Sequence, residues 1–139
     1  MENGTNNITP SFSRHPKLAK HVAAQVVAPF VGEIVGFFNP ESTAYTAANV
    51  QWAVSAIASA TLVEVQHRVF HGLQKKIGKV RSSIAAVLIP SAVTTTMSFI
   101  GHSLAETDAK TSSAIVCVLS LLGYGTLQCF QLLSQKKEI

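Results

Sequence analysis

Charge is what this sequence has least of. Charged residues are 13% of the 139-residue chain, about half the share in an ordinary soluble domain. No Asp, Glu, Lys or Arg occurs from Ser42 to Val63, from Ser82 to Ala105 or from Thr111 to Gln135. Each gap reaches the roughly 20 residues a helix needs to cross a hydrocarbon core at ~1.5 Å rise per residue. A fourth stretch, His21 to Phe38, is interrupted only by Glu33.

Other absences narrow the function classes. There are only 2 cysteines, Cys117 and Cys129. Twelve residues of helix separate them by about 18 Å, beyond the reach of a disulfide between them, and neither forms a CxxC pair. The sequence has no Gly-rich phosphate loop, no GxSxG elbow and no convincing catalytic dyad, so an enzyme is not expected. No cofactor is expected either. The first dozen residues, MENGTNNITPSF, lack the apolar core of a signal peptide and read as a disordered polar segment extending to residue 18. Asn3 and Asn7 fit glycosylation sequons, but that chemistry requires a lumenal location.

What is there fits a membrane. The expected fold is an all-α integral membrane protein with four transmembrane helices as two tandem hairpins in a single domain, residues 19–139. Arg14, Lys17 and Lys20 precede the first helix; Arg68, Lys75, Lys76, Lys79 and Arg81 follow the second; Lys136 and Lys137 follow the fourth. Of the 11 basic residues only Lys110 falls in an alternate connection. That segregation obeys the positive-inside rule, so both termini are expected on the cytoplasmic side, against anionic headgroups. It also accounts for the pI near 9.3 without nucleic-acid binding.

A shift of 61 residues lays Lys20 to Gly78 on Arg81 to Ile139 without a gap. Pro29 then meets Pro90, Phe38 meets Phe99, Ser59 meets Ser120, and Gln74-Lys75-Lys76 meets Gln135-Lys136-Lys137. The expectation is a parallel repeat of hairpins, 20–78 and 81–139, with a packing seam or ligand path near the two prolines. A proline inside a helix frees a carbonyl one turn back, and in lipid that carbonyl needs a partner; Thr94 to Thr96, Gln25 and Gln51 are the donors at hand. The tail KKEI has the register of an endoplasmic-reticulum retrieval signal. The first QKK copy lies inside the chain, where it cannot serve that way, so a charged hem is the simpler reading of both.

Glu33 is the one acidic residue within an expected span, a position where charge is costly and functional roles concentrate. Its repeat counterpart is Thr94. Gly32 and Gly36, Ser55 and Ser59, and Ala56 and Ala60 recur at the four-residue spacing that lets membrane helices approach closely. From Glu64 to Arg81 the second helix is expected to run on into the cytoplasm, with Val65, Val69, Leu73 and Ile77 forming an aliphatic stripe that can lie on a leaflet. Within it Glu64, His67 and His71 share a face and are the residues that could hold a divalent metal. No second cluster completes a site, so no metal is expected, and Glu64 at i,i+4 from Arg68 reads as an ion pair.

The functional expectation is a protein that works by helix packing and assembly. An oligomeric pore or small-solute or ion pathway, holin-like or a minor channel, leads. The alternatives are a non-transporting accessory or scaffold subunit of a membrane complex, for instance in the endoplasmic reticulum, and an effector that inserts into host membranes. Self-association or a membrane-protein partner is expected, in a bacterial inner membrane or the endoplasmic reticulum.

Overall fold

The computed structural model describes residues 16–136, with side chains described over 27–133. The polar leader up to residue 15 and Lys137 therefore lie outside the described residues, as do the side chains of Gln25 and Lys136. The described residues form four helices and no strand: α1 (Pro16–Phe37), α2 (Ala44–Ile77), α3 (Lys79–Leu104) and α4 (Ala109–Lys136). Sequential helices pack antiparallel along their lengths, while α4 touches α1 and α2 only briefly, giving an up-down-up-down bundle.

The helix ends follow from local chemistry. Pro40 disfavours helical backbone at Asn39, and the Asn39 N–H closes α1 on the Gly36 carbonyl at 3.1 Å. Gly78 alone joins α2 to α3. Its positive φ of 81° is open to glycine at little cost, its N–H caps α2 at the Gln74 carbonyl, and its own carbonyl receives the first amide of α3, from Ser82. The C-terminus of α3 is a Schellman turn: Glu106, at φ 55°, donates to the Ser103 carbonyl, and the Thr107 N–H reaches back to the His102 carbonyl at 3.0 Å. Asp108 then caps α4, accepting from the Thr111 N–H at 3.0 Å and the Thr111 hydroxyl at 2.7 Å. Those two bonds hold the Asp108 carboxyl below its ordinary pKa.

The second helix runs on to Ile77, as the sequence leads one to expect, but it does not run alone. With a one-residue turn, α3 folds straight back beside it, and from Glu64 to Ile77 one face of α2 is buried while Glu64, His67, Arg68, His71, Lys75, Lys76 and Ile77 stay exposed. Phe70 is fully buried and Gln66 nearly so. Val65 of the aliphatic stripe packs against a cluster of Ala58, Leu62 and Tyr124. Val69 and Leu73 are half-buried and Ile77 is exposed, so the stripe is covered only in part, and Gly78 leaves no linker that would let α2 depart from α3.

One end of the bundle gathers the α1–α2 and α3–α4 connections. Asn39 ties them together: its side-chain amide donates to the Val35 carbonyl at 2.8 Å and to the Ser112 hydroxyl at 3.0 Å, and its Oδ1 accepts the Asp108 N–H at 3.1 Å. The other end carries the Gly78 turn, with Lys75, Lys76, Lys79 and Arg81 all exposed around it.

The distribution of side chains is inverted relative to a water-soluble bundle. Buried polar residues include Gln51, Ser55, Gln66, Ser82, Ser91, Thr94, Ser98, His102, Ser112 and Gln128, whereas Phe37, Phe38, Leu88, Ile100, Leu104, Leu122, Phe130 and Leu133 are exposed. Helices α3 and α4 are each long and apolar enough to cross a membrane. In α1 the described apolar stretch, Val27–Phe37, is shorter than a span, and α2 does not pass the same test.

Candidate functional site: a buried polar column

The inward faces of α2, α3 and α4 build a series of hydrogen-bonded side chains along the bundle axis. At the connection end His102, fully buried on α3, stands between two partners: its Nδ1 lies 2.7 Å from the Thr107 hydroxyl and its Nε2 3.3 Å from Gln51 Oε1. Gln51 is the hub. Its Oε1 also accepts the Ser98 hydroxyl at 2.8 Å, and its Nε2 donates to Ser55 Oγ at 2.9 Å. A carbonyl oxygen at Nε2 calls for a proton there. In neutral imidazole that leaves Nδ1 to accept from Thr107, whose hydroxyl is also 3.2 Å from the His102 carbonyl.

Ser55 opens onto a central cavity of about 100 Å³, bounded by all four helices and lined by Ser59, Thr94, Ser120 and Tyr124 among aliphatic side chains. It is large enough and polar enough for a few waters. The Tyr124 and Thr94 hydroxyls stand 3.3 Å apart across it. Farther along, Gln66 donates to the Tyr124 carbonyl at 2.9 Å and lies 3.4 Å from Gln128 Oε1, and Gln128 Nε2 lies 3.4 Å from Ser83 Oγ. One turn beyond Gln128, and outside this bonded series, Gln131 stands between the exposed His67 and His71. From Gln51 to Gln66 along α2 the column covers about 22 Å at ~1.5 Å per residue, most of a bilayer's hydrocarbon thickness of roughly 30 Å.

The structure distributes the residues singled out in the sequence unevenly. Gly32 and Gly36 are buried at the α1–α2 crossing; a Cβ on Gly32 would stand 2.7 Å from the Ala48 carbonyl oxygen, and one on Gly36 2.9 Å from that of Ala44. Ser55 belongs to the column, and Ser59 bonds back to the Ser55 carbonyl at 2.6 Å while lining the cavity. Ala56 is half-buried and Ala60 exposed. Glu33 is exposed, on a separate open groove of about 830 Å³ along α1 and α2, walled by Phe37, Phe38, Tyr45 and Trp52 and reaching Pro29. Pro90 is buried, so the two prolines, equivalent in the alignment, occupy unlike places.

Thr94, Thr95 and Thr96 do not reach the carbonyl freed by either proline. Each bonds back one turn on its own helix, to the carbonyls of Pro90, Ser91 and Ala92. Their hydroxyls take the nearest acceptor, four residues behind. Glu64 pairs with Arg68 at 3.0 Å, as its spacing suggests. Among the described residues no group of three or more His, Cys, Asp and Glu converges on a point.

Most of the column lies outside what the sequence reading singles out, His102, Gln66 and Gln128 above all. A signal is present. Ser91, Thr94, Ser98 and His102 recur every three to four residues through a charge-free segment, which makes them one polar stripe on a helix whose remaining faces are apolar. The chain matches no protein-family model, no curated protein and no solved structure.

Proposed function

We propose that the protein is a small multi-pass membrane protein in which all four helices lie in the bilayer, with the basic end cytoplasmic, and whose polar interior serves as a pathway for a small solute or ion. The observation that carries this reading is the inverted distribution: a polar column inside and an apolar surface outside. In water such a bundle would expose its aliphatic residues and bury groups that water solvates well, whereas in lipid both choices are favourable. Only 28% of the most apolar window of α3 and 22% of that of α4 are buried, which is unlike the core helices of a soluble protein. The sparse charge on α1 and α2 allows them to join α3 and α4, with Arg68 able to extend its guanidinium toward headgroups.

The central cavity, partly open to the bundle surface, has room for a few waters or a small cation, so protons and small monovalent ions are the permeants to test first. Purified protein in liposomes loaded with a pH-sensitive or ion-sensitive dye should dissipate an imposed gradient faster than empty liposomes. Filling the cavity by Ser55→Leu should slow it. Equal rates with and without protein, in vesicles where insertion is verified, refute the pathway. Placement is tested separately: the single tryptophan, Trp52, lies half-exposed on α2 and should be quenched by lipids brominated along the acyl chain.

A second reading is favoured by the groove beside Glu33. An open, aromatic-walled furrow next to a glycine seam suits a helix of another membrane protein, which would make this chain an accessory subunit. Absence of flux together with stoichiometric co-purification of a membrane partner, lost on Trp52→Ala, would select it.

A further inference from the structure

We propose that His67 and His71 of α2, together with Gln131 of α4, form a binding site for a divalent transition cation of the zinc class that bridges the two helices at the basic end of the bundle. The Gln131 side-chain nitrogen stands 3.0 Å from Nδ1 of His67 and 3.2 Å from Nε2 of His71. An amide NH2 has two protons to donate, and each ring nitrogen facing it must accept. Both imidazole lone pairs are therefore directed at one point, which is what a metal requires of two histidine ligands. The four-residue spacing on one helix brings the ring centroids to 4.3 Å.

The amide occupies that point with two partially positive hydrogens, a weak imitation of a cation. A metal binds imidazole nitrogen at about 2.0–2.1 Å, so it would sit closer to the rings than the amide nitrogen does. Turning the Gln131 amide about its last bond exchanges nitrogen for oxygen and presents a third ligand from α4. Water completes a tetrahedral set, or Glu64 does, one turn before His67, by exchanging Arg68 for the metal. Imidazole with amide or carboxylate oxygen suits Zn2+, Ni2+ and Cu2+, whereas Mg2+ and Ca2+ favour all-oxygen sets. His67 and His71 are exposed, so the ion reaches them without the bundle opening. The backbones of α2 and α4 approach closely at few places, and their other ties run through Gln66 with Tyr124 and Gln128, so the metal would add a second tie between these two diagonal helices near the basic end. The proposal stands on this geometry and does not depend on whether the interior conducts.

The test uses full-length protein without a histidine tag, titrated in detergent with Zn2+ in competition with a chromogenic chelator. One equivalent should bind in the micromolar range or tighter, excess Mg2+ should leave binding unchanged, and binding should weaken in mild acid as imidazoles protonate. His67→Asn and His71→Asn are each expected to reduce affinity at least about tenfold while leaving helicity intact, and Gln131→Leu to reduce it severalfold. Spin labels at exposed positions of α2 and α4 should report a narrower distance distribution with Zn2+ in the wild type and no change in Gln131→Leu. No saturable binding, or binding indifferent to both histidine substitutions, overturns the site. Binding that needs the histidines but ignores Gln131 overturns the bridge between helices.

Discussion

Replacing Gly32 with alanine should separate α1 from α2, and the contact geometry gives the size of the effect. An added Cβ would stand 2.7 Å from the Ala48 carbonyl oxygen and 3.4 Å from Trp52 Cβ. Ordinary contact begins near the second of those distances, and a backbone oxygen cannot rotate away as a side-chain tip can. The helix must retreat by several tenths of an ångström, an overpacking cost of about 1–3 kcal/mol. Alanine returns up to about 1 kcal/mol through its better helix propensity, so the net change alone is ambiguous. Gly123→Ala resolves it. That position, also within a helix, would leave an added Cβ with nothing within 4 Å, so it reports propensity without a clash. The difference between the two variants isolates the clash. Equilibrium unfolding in mixed micelles, followed by circular dichroism, should place Gly32→Ala about 1–3 kcal/mol below Gly123→Ala. Gly36→Ala, whose Cβ would meet Ala44 and Ala48 at 2.9 and 3.0 Å, should behave like Gly32→Ala. The double variant should cost less than the sum, because one retreat of α1 relieves both contacts. Equal stabilities for Gly32→Ala and Gly123→Ala would refute the close crossing.

Gln51→Met keeps the length of the side chain but strips the buried Ser98 hydroxyl and His102 Nε2 of their common partner. Unfolding in micelles should show a loss of about 1–3 kcal/mol, and a neutral result would mean the hub is dispensable. Asp108 has a depressed folded pKa, so its contribution is present above the ordinary carboxylate range near pH 4 and disappears as pH falls through the lower folded value. The wild-type melting temperature should accordingly fall in acid more steeply than that of Asp108→Asn; parallel curves would contradict the cap. Glu106→Gly should stabilise by roughly 0.5–1 kcal/mol, since glycine adopts the positive φ of the Schellman turn without strain. Destabilisation by that change would show that the glutamate side chain matters more than its backbone.

The helices are legible in the sequence because the charge gaps are long, and each gap falls on one helix of the bundle, overrunning it by no more than two residues. Their partnership is less legible. Segregated lysines indicate that Lys75, Lys76, Lys79 and Arg81 cluster at one place, but charge says nothing of how tightly the chain turns between them. That depends on one backbone conformation at Gly78, and a glycine in a Lys-rich segment reads equally well as a bend in a continuing helix. The column escapes a sequence reading for a related reason. Serine, threonine and glutamine register first as a dilution of hydrophobicity, although their three-to-four-residue spacing on α3 carries direction. His102 illustrates the limit: its partners Thr107 and Gln51 lie five and fifty-one residues away, and only the folded bundle brings both to one ring. Gln131 goes unnoticed because a metal site sought within one helix excludes ligands from another. The proline pair misleads in the opposite sense, since equivalence in an alignment does not carry equivalence of burial.

The one-residue turn at Gly78 has a consequence for biogenesis. If α2 and α3 enter a bilayer, they do so in close company, because the turn between them is flanked by Lys75, Lys76, Lys79 and Arg81 and provides no slack. Entry with the turn leading would drag that cationic tip into hydrocarbon, at a cost of several kilocalories per charge. The two helices would therefore enter led by their polar-capped far ends, with the tip held at the face they entered from. The length of this turn, as much as the charge it bears, would then set the order in which the protein is assembled.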